Sequence, residues 1–283
     1  MMRETIRAVI PIRARNTTGE RYNKGVLSVK IRTLSGFLLL GSSLSFAVHA
    51  GTGGYELANN SRAVSALRAL ASMTLGADFI RSGHAQTIRL LPPFANHYTS
   101  DTSYQSSGLV GLTLGMERGF SEQLSWQLGL SGYFNTAIKS SGHVWQFALP
   151  EFDNFLYDYR IQSKRLMATG KVLATLKHTV HPYISGELGA GFNRARSYRE
   201  TPLIIEAVPM VPFSNRTQAS FAWGAGVGVD VDISTALRLG VGYHFADLGK
   251  ASLGVSPVQF TQHTLSQPHL YSQEVCFQLT AFI

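Results

Sequence analysis

Tyr271-Ser-Gln-Glu-Val-Cys-Phe-Gln-Leu-Thr-Ala-Phe-Ile283 closes the chain, and its alternation decides the fold. Tyr271, Val275, Phe277, Leu279, Ala281 and Ile283 share one parity, while Ser272, Glu274, Cys276, Gln278 and Thr280 share the other. Successive side chains of a strand point to opposite faces, so this period marks a β-strand with one apolar and one polar side.

The same signal recurs upstream. Leu237, Leu239, Val241, Tyr243 and Phe245 oppose Arg238, Gly240, Gly242 and His244. Ala219, Phe221, Trp223, Ala225, Val227, Val229 and Val231 oppose Ser220, Gly224, Gly226, Gly228, Asp230 and Asp232. Further segments run over Ala71–Phe79, Val110–Met116, Leu124–Phe134 and Ile184–Phe192. The stretch from Tyr157 to Leu176 changes parity: Tyr157, Tyr159 and Ile161 fall on one side, Leu166, Ala168, Val172 and Ala174 on the other. A β-bulge near Ser163–Lys164 is expected to reconcile them. Together these predict eight strands.

Connection lengths then alternate. Short turns are expected near Gly119–Gln123, Lys177–His181 and Ile233–Ala236, with long links at about 82–106, 140–156, 195–215 and 250–269. That pattern predicts an all-β fold, an eight-stranded antiparallel up-and-down transmembrane β-barrel, with both termini on the periplasmic, short-turn side. A soluble lipocalin-like barrel would carry many more Lys and Glu on its polar face than the Gly, Ser and Thr found here. Aromatics are expected in two interfacial bands: Phe120, Trp126 and Phe282 near the short turns, and Tyr157, Tyr159, Phe192, Phe221, Tyr243, Phe245 and Tyr271 towards the long loops.

Only 15% of the 283 residues are charged and mean hydropathy is near zero. No apolar run of about 18 residues offers a transmembrane helix. The net charge of +8 sits mostly in residues 1–50, which carry eight Lys/Arg and two Asp/Glu, so nucleic acid is not an expected partner. Lys30 and Arg32 precede an apolar stretch from Phe37 to Val48 and then Val48-His49-Ala50, which reads as a signal peptide over 29–50 cut after Ala50. Residues 1–28 are basic and polar, and translation is expected to start near Val29; 51–66 form a short periplasmic segment ahead of a barrel over 67–283. The lone Cys276 excludes an internal disulfide framework.

Gly242-Tyr-His-Phe-Ala-Asp-Leu-Gly-Lys250 and Met116-Glu-Arg-Gly-Phe-Ser-Glu-Gln-Leu-Ser-Trp-Gln-Leu-Gly-Leu130 are similar to a penultimate strand and a periplasmic hairpin of opacity-type, OmpA-like small outer-membrane barrels. The resemblance implies a surface protein with an adhesive role. It also implies recognition by the barrel-assembly machinery, although members usually end in an aromatic and this chain ends in Ile283.

Charges of lumen parity are the candidate site residues. Lys171 and Glu187 lie at similar distances from the turn near 179 and are expected to pair; Asp230 or Asp232 should meet Arg238; Glu117, Arg165, His244 and Glu274 also point inward. An eight-stranded interior is just wide enough for side chains, so these charges are expected to form a paired plug rather than a pore. A narrow porin is the alternative function. His244 and Glu274 on neighbouring strands suggest a general base, but no Gly-x-Ser-x-Gly or His-x-Ser-Asn segment accompanies them, so a lipid-modifying enzyme is a weaker reading. His178 and His181 lack further metal ligands, Gly224-x-Gly-x-Gly228 lies inside a strand, and Gly249-Lys250 lacks phosphate-loop spacing; no cofactor, metal or catalytic set is expected. Apolar loop residues in Leu90–Phe94, Trp145–Phe147, Leu203–Ile205 and Val211–Phe213 either pack on one another as a cap or are contacts for a host or surface ligand. The remaining expected partners are outer-membrane lipid and lipopolysaccharide.

Overall fold

The computed structural model describes residues 67–90, 93–209, 213–256 and 263–283. The leader 1–28, the signal peptide 29–50 with Ala50, and the segment 51–66 lie outside the described residues, as do Leu91, Val211 and Pro212 of the loops.

Eight long strands form a closed antiparallel ring: β1 (Arg68–Arg81), β2 (Tyr104–Gly119), β3 (Leu124–Asn135), β4 (Asp153–Ala174), β5 (Val180–Pro202), β6 (Arg216–Asp232), β7 (Leu237–Asp247) and β8 (Tyr271–Phe282). Each pairs with its neighbour in sequence. β1 closes the ring against β8 in unbroken register from Leu70↔Phe282 to Arg81↔Tyr271. Closure leaves no open edge in the ring, so the barrel strands' backbone groups are satisfied internally. The start of β1 and the end of β8 lie side by side at the short-turn end, where Ile283 N donates to Ala69 O at 2.9 Å.

The barrel is inside out. Leu112, Leu114, Leu130, Ile184, Leu188, Val227, Val241 and Phe277 face outward and exposed, while Ser131, Arg165, Lys171, Glu187, Asp230 and Glu274 face inward and are buried. In water that arrangement would expose a continuous apolar belt and bury charge, each at a cost. In a bilayer the apolar belt meets lipid and the lumen is the less costly side for charge, so the chain is a transmembrane barrel of outer-membrane type.

β4 and β5 run on far beyond the membrane. Their 22 and 23 residues compare with about 9–11 needed to cross at a tilt. A strand over Ile138–Trp145 continues the line of β3 along the upper half of β4, and a hairpin of Gln86–Arg89 with Ala95–Tyr98 packs beside it. Part of what alternation and turn chemistry assign to long loops is therefore sheet standing above the bilayer.

No bulge occurs at Ser163–Lys164. The β3–β4 register continues through Lys164, and the inward parity Phe155, Tyr157, Tyr159, Ile161, Ser163, Arg165 runs without a break. What changes is the environment. In the membrane the outward side is apolar; above it the inward side is. Tyr157 and Tyr159 consequently leave the expected outer aromatic band and sit inside, each 2% exposed. Irregularities occur higher up, between Val144 and Trp145 and between Asp158 and Arg160, where Ser197 adopts a φ of 58°.

Candidate functional site

The lumen is filled by layers of paired polar side chains. Nearest the short turns, Arg238 on β7 donates through Nη1 to Glu117 Oε2 at 2.7 Å and through Nε to Asp232 Oδ1 at 2.7 Å. Gln127 Nε2 reaches the same Glu117 oxygen at 2.6 Å, and His181 Nε2 lies 2.8 Å from Asp232 Oδ2. Above this, Lys171 Nζ contacts Asp230 Oδ2 at 3.1 Å and Gln278 Oε1 at 2.7 Å, with the Tyr183 ring 3.9 Å away. The next layer links hydroxyls: Thr113 to Ser131 at 2.8 Å, Ser131 to Thr169 at 2.6 Å and Ser72 to Thr280 at 2.8 Å.

Higher still, Arg165 Nη2 meets Glu274 Oε1 at 2.6 Å, while its guanidinium lies over the Tyr133 ring at 4.7 Å. The Tyr133 hydroxyl donates to Glu187 Oε1 at 2.8 Å, and His244 Nδ1 is 3.5 Å from that oxygen. Asp78 accepts from Asn135 and Ser272.

Two pairings differ from the sequence expectation. Lys171 pairs with Asp230, not Glu187. The β4–β5 register sets Lys171 opposite Ser185 and Thr169 opposite Glu187, because the turn centres one residue earlier, at Lys177–His178, both with positive φ. His244 stands opposite Glu274 in register, yet Glu274 is held by Arg165 and the carboxylate nearest His244 is Glu187. Residue counting along one hairpin sees only neighbouring strands. In a narrow lumen a long side chain reaches across, and Arg165–Glu274 joins β4 to β8. Local spacing does not reveal the His181–Asp232 or the Asp78–Asn135 contact, since the partners lie 51 and 57 residues away.

The interior leaves little space. A cavity of about 30 Å³ lies at mid-height among Ser72, Thr169, Lys171, Tyr183, Glu187 and Cys276, room for roughly a few water molecules. Tyr183 narrows it: its hydroxyl lies where a Cβ on Gly228 or Gly242 would sit, at 2.5 and 2.2 Å.

Above the polar layers sits an apolar cap. Ile80, Ile88, Tyr98, Val144, Phe155, Tyr157, Tyr159, Tyr198, Phe213, Leu248, Leu253, Leu265 and Leu270 form one buried cluster. Edge contacts such as Tyr198–Phe213 at 4.9 Å and Tyr98–Tyr157 at 5.6 Å pack it. Burial, with the Glu200 carboxylate as second cause, holds the Tyr98 phenol well above its ordinary range. Phe213, expected as a loop contact, belongs to this cap.

Other loop residues remain outside. Phe94, Phe147, Leu149, Phe152, Leu203, Ile204, Ile205 and Val208 are exposed, Ile205 at 98%. Phe147 packs tilted against Phe94 at 5.7 Å and edge-on to Phe152 at 5.5 Å, so two loops share one aromatic tip. Leu203 N donates to Asn154 O at 2.8 Å, tying the third loop beside them. Phe147 and the following Ala148 both adopt a φ of 56°, a conformation that costs a non-glycine residue of order 1 kcal/mol. The packing of Phe147 between two rings supplies the compensation.

No protein-family model matches the chain, and no curated protein matches it. Several solved structures do. The outer membrane protein OprG from Pseudomonas aeruginosa is 15% identical, with 75% of this chain and 95% of that one covered and a TM-score of 0.43. Neisserial surface protein A is 13% identical, covering 75% and 96%, with a TM-score of 0.38. Ail, the attachment invasion locus protein of Yersinia pestis, is 14% identical, covering 76% and 99%, with a TM-score of 0.30. These are likenesses only; the closed ring and outward apolar belt of this chain themselves make it an eight-stranded transmembrane β-barrel.

Proposed function

We propose that this barrel is a non-enzymatic surface protein that makes contact with a host or another surface through its apolar loop tip. The supporting observation is the exposed Phe94–Phe147–Phe152 cluster, with Leu203–Ile205 beside it, carried on sheet that extends well above the bilayer. Ordered apolar groups presented to water are costly unless something covers them, and rigid aromatics lose little entropy on contact. The lumen favours no competing role. Its charges are paired from layer to layer, the cap covers them, and the cavity between is too small to pass a solute. His244 lies 3.5 Å from Glu187, whose carboxylate also accepts from Tyr133, so it reads as a structural member of the network. In this reading the short turns and both termini face the periplasm, and the alternating Phe277/Leu279 end strand is what the assembly machinery recognises.

The test is adhesion of cells displaying wild type or Phe94→Ser/Phe147→Ser/Ile205→Ser at equal surface density. The variant should lose most of the attachment. Attachment unchanged by removing all three side chains defeats the proposal.

A further inference from the structure

The outward face changes character abruptly on one side of the barrel. Going up β4, the apolar outward run Val172, Gly170, Ala168, Leu166 ends at Lys164, followed by Gln162 and Arg160. On β5 the run Ile184, Gly186, Leu188, Ala190, Phe192 ends at Arg194. The register sets these ends side by side: Lys164 opposite Phe192, Gln162 opposite Arg194, Arg160 opposite Arg196, and Asp158 opposite Arg199. Lys139 flanks Arg160 from the other edge. Six cations thus share a patch with one acid, Asp158, which Lys139 approaches at 3.8 Å. The outward positions at the same end of β1, β2, β7 and β8 are Phe79, Arg81, Tyr104, Phe245 and Tyr271, with one cation among them.

One feature of the patch calls for an outside anion. Like charges directly opposite each other on paired strands are destabilising, and Arg160 faces Arg196. Immediately below lies exposed hydrocarbon surface at Leu166, Leu188 and Phe192. A surface that is cationic above and apolar below matches an amphiphile carrying phosphates above acyl chains, and guanidinium forks suit phosphate oxygens.

We propose that this face of β4 and β5 binds the phosphorylated glycolipid of the outer leaflet, lipid A. Its phosphates rest on Arg160, Lys164, Arg194 and Arg196, and its acyl chains lie along Leu166, Leu188 and Phe192. The proposal rests on the outer-membrane placement of the barrel but not on the adhesive reading, so either can fail alone.

The full chain is folded into phosphatidylcholine micelles doped with equal traces of bisphosphorylated and dephosphorylated lipid A, and the lipid retained after purification is quantified by mass spectrometry. Heat-modifiable gel mobility verifies folding. Wild type should retain the bisphosphorylated form at least about tenfold over the other, and R160Q/K164Q/R194Q/R196Q should abolish that preference. R68Q/R118Q, which removes two cations at the opposite end, should keep it. If the quadruple variant does not fold, Arg194→Lys and Arg194→Gln replace it, with retention falling in that order. Equal retention of the two lipids by wild type overturns the proposal, as does a folded charge variant that retains the wild-type preference. Binding of a soluble sulfated glycan with no lipid preference also overturns it, and assigns the patch to a glycan.

Discussion

Replacing Arg165 with Met should destabilise the barrel by about 3–5 kcal/mol, the range for removing one partner of a buried ion pair. The structure places this variant at the upper end. Arg165 and Glu274 are 2.6 Å apart with side chains 1% and 2% exposed, so solvent cannot reach the carboxylate left behind. Ser272 bridges Glu274 to Asp78, so the substitution leaves two acids in one buried layer without their cation. It also removes the guanidinium that lies 4.7 Å over the Tyr133 ring. The assay is urea unfolding from phospholipid vesicles, followed by tryptophan fluorescence and gel mobility. With a slope of about 2 kcal/mol/M, the midpoint should fall by roughly 2 M. Arg165→Met/Glu274→Gln should recover at least half of the loss, because no charge is then stranded. As a contrast, Lys139→Ala removes a 3.8 Å pair whose lysine is 59% exposed, and should change stability by less than about 1 kcal/mol. An Arg165→Met barrel within about 1 kcal/mol of wild type, or a double variant no better than the single, refutes the view that paired charges hold the lumen shut.

Planar-bilayer recordings of wild type should show no discrete openings, and Lys171→Ala should add none, because the apolar cap above the cavity remains in place. Gly242→Val drives a side chain into the Tyr183 hydroxyl and should cost about 1–3 kcal/mol or block folding, read from the fraction of heat-modifiable protein. Cys276 is buried in the lumen and should resist maleimide in the folded barrel but react fully in urea; rapid labelling of folded protein would contradict its inward placement. The cap phenols give a pH dependence. With the folded Tyr98 value raised above the unfolded one of about 10, the proton is kept longer in the folded state, so the stabilisation is complete below about pH 10 and falls as pH rises beyond it. Near-ultraviolet circular dichroism should lose the cap signal there while the strand signal persists.

The eight membrane strands are legible because one face of each meets lipid throughout, which keeps the alternation clean from Val275 to Leu279 or Val227 to Val231. Legibility fails where the solvent changes. Tyr157, Tyr159 and Ile161 follow the same pleat as Arg165, but they lie above the bilayer, where burial means inward rather than outward, so the pattern inverts without any change in the chain. The strand over Ile138–Trp145 is hidden because its buried side mixes Ser140 and Gly142 with Ile138 and Val144, leaving no clean alternation. At the site, residue parity identifies which charges enter the lumen, since facing is a local property. Partner choice is not local: Arg165 reaches Glu274 across 109 residues and Lys171 reaches Gln278 across 107. The basic face of β4 and β5 is not legible in the sequence, because its cations come from three strands and meet only through register.

The central claim, that lipid covers the outward parity and side chains fill the inward one, is tested most directly by intermolecular methyl NOEs to acyl chains in a nanodisc. Leu112, Leu114, Leu130 and Leu188 should show strong contacts, and Leu70, Leu109, Met167 and Leu173 none. Acyl-chain contacts at Leu109, Met167 and Leu173, or their absence at Leu112 and Leu130, would contradict the inside-out barrel.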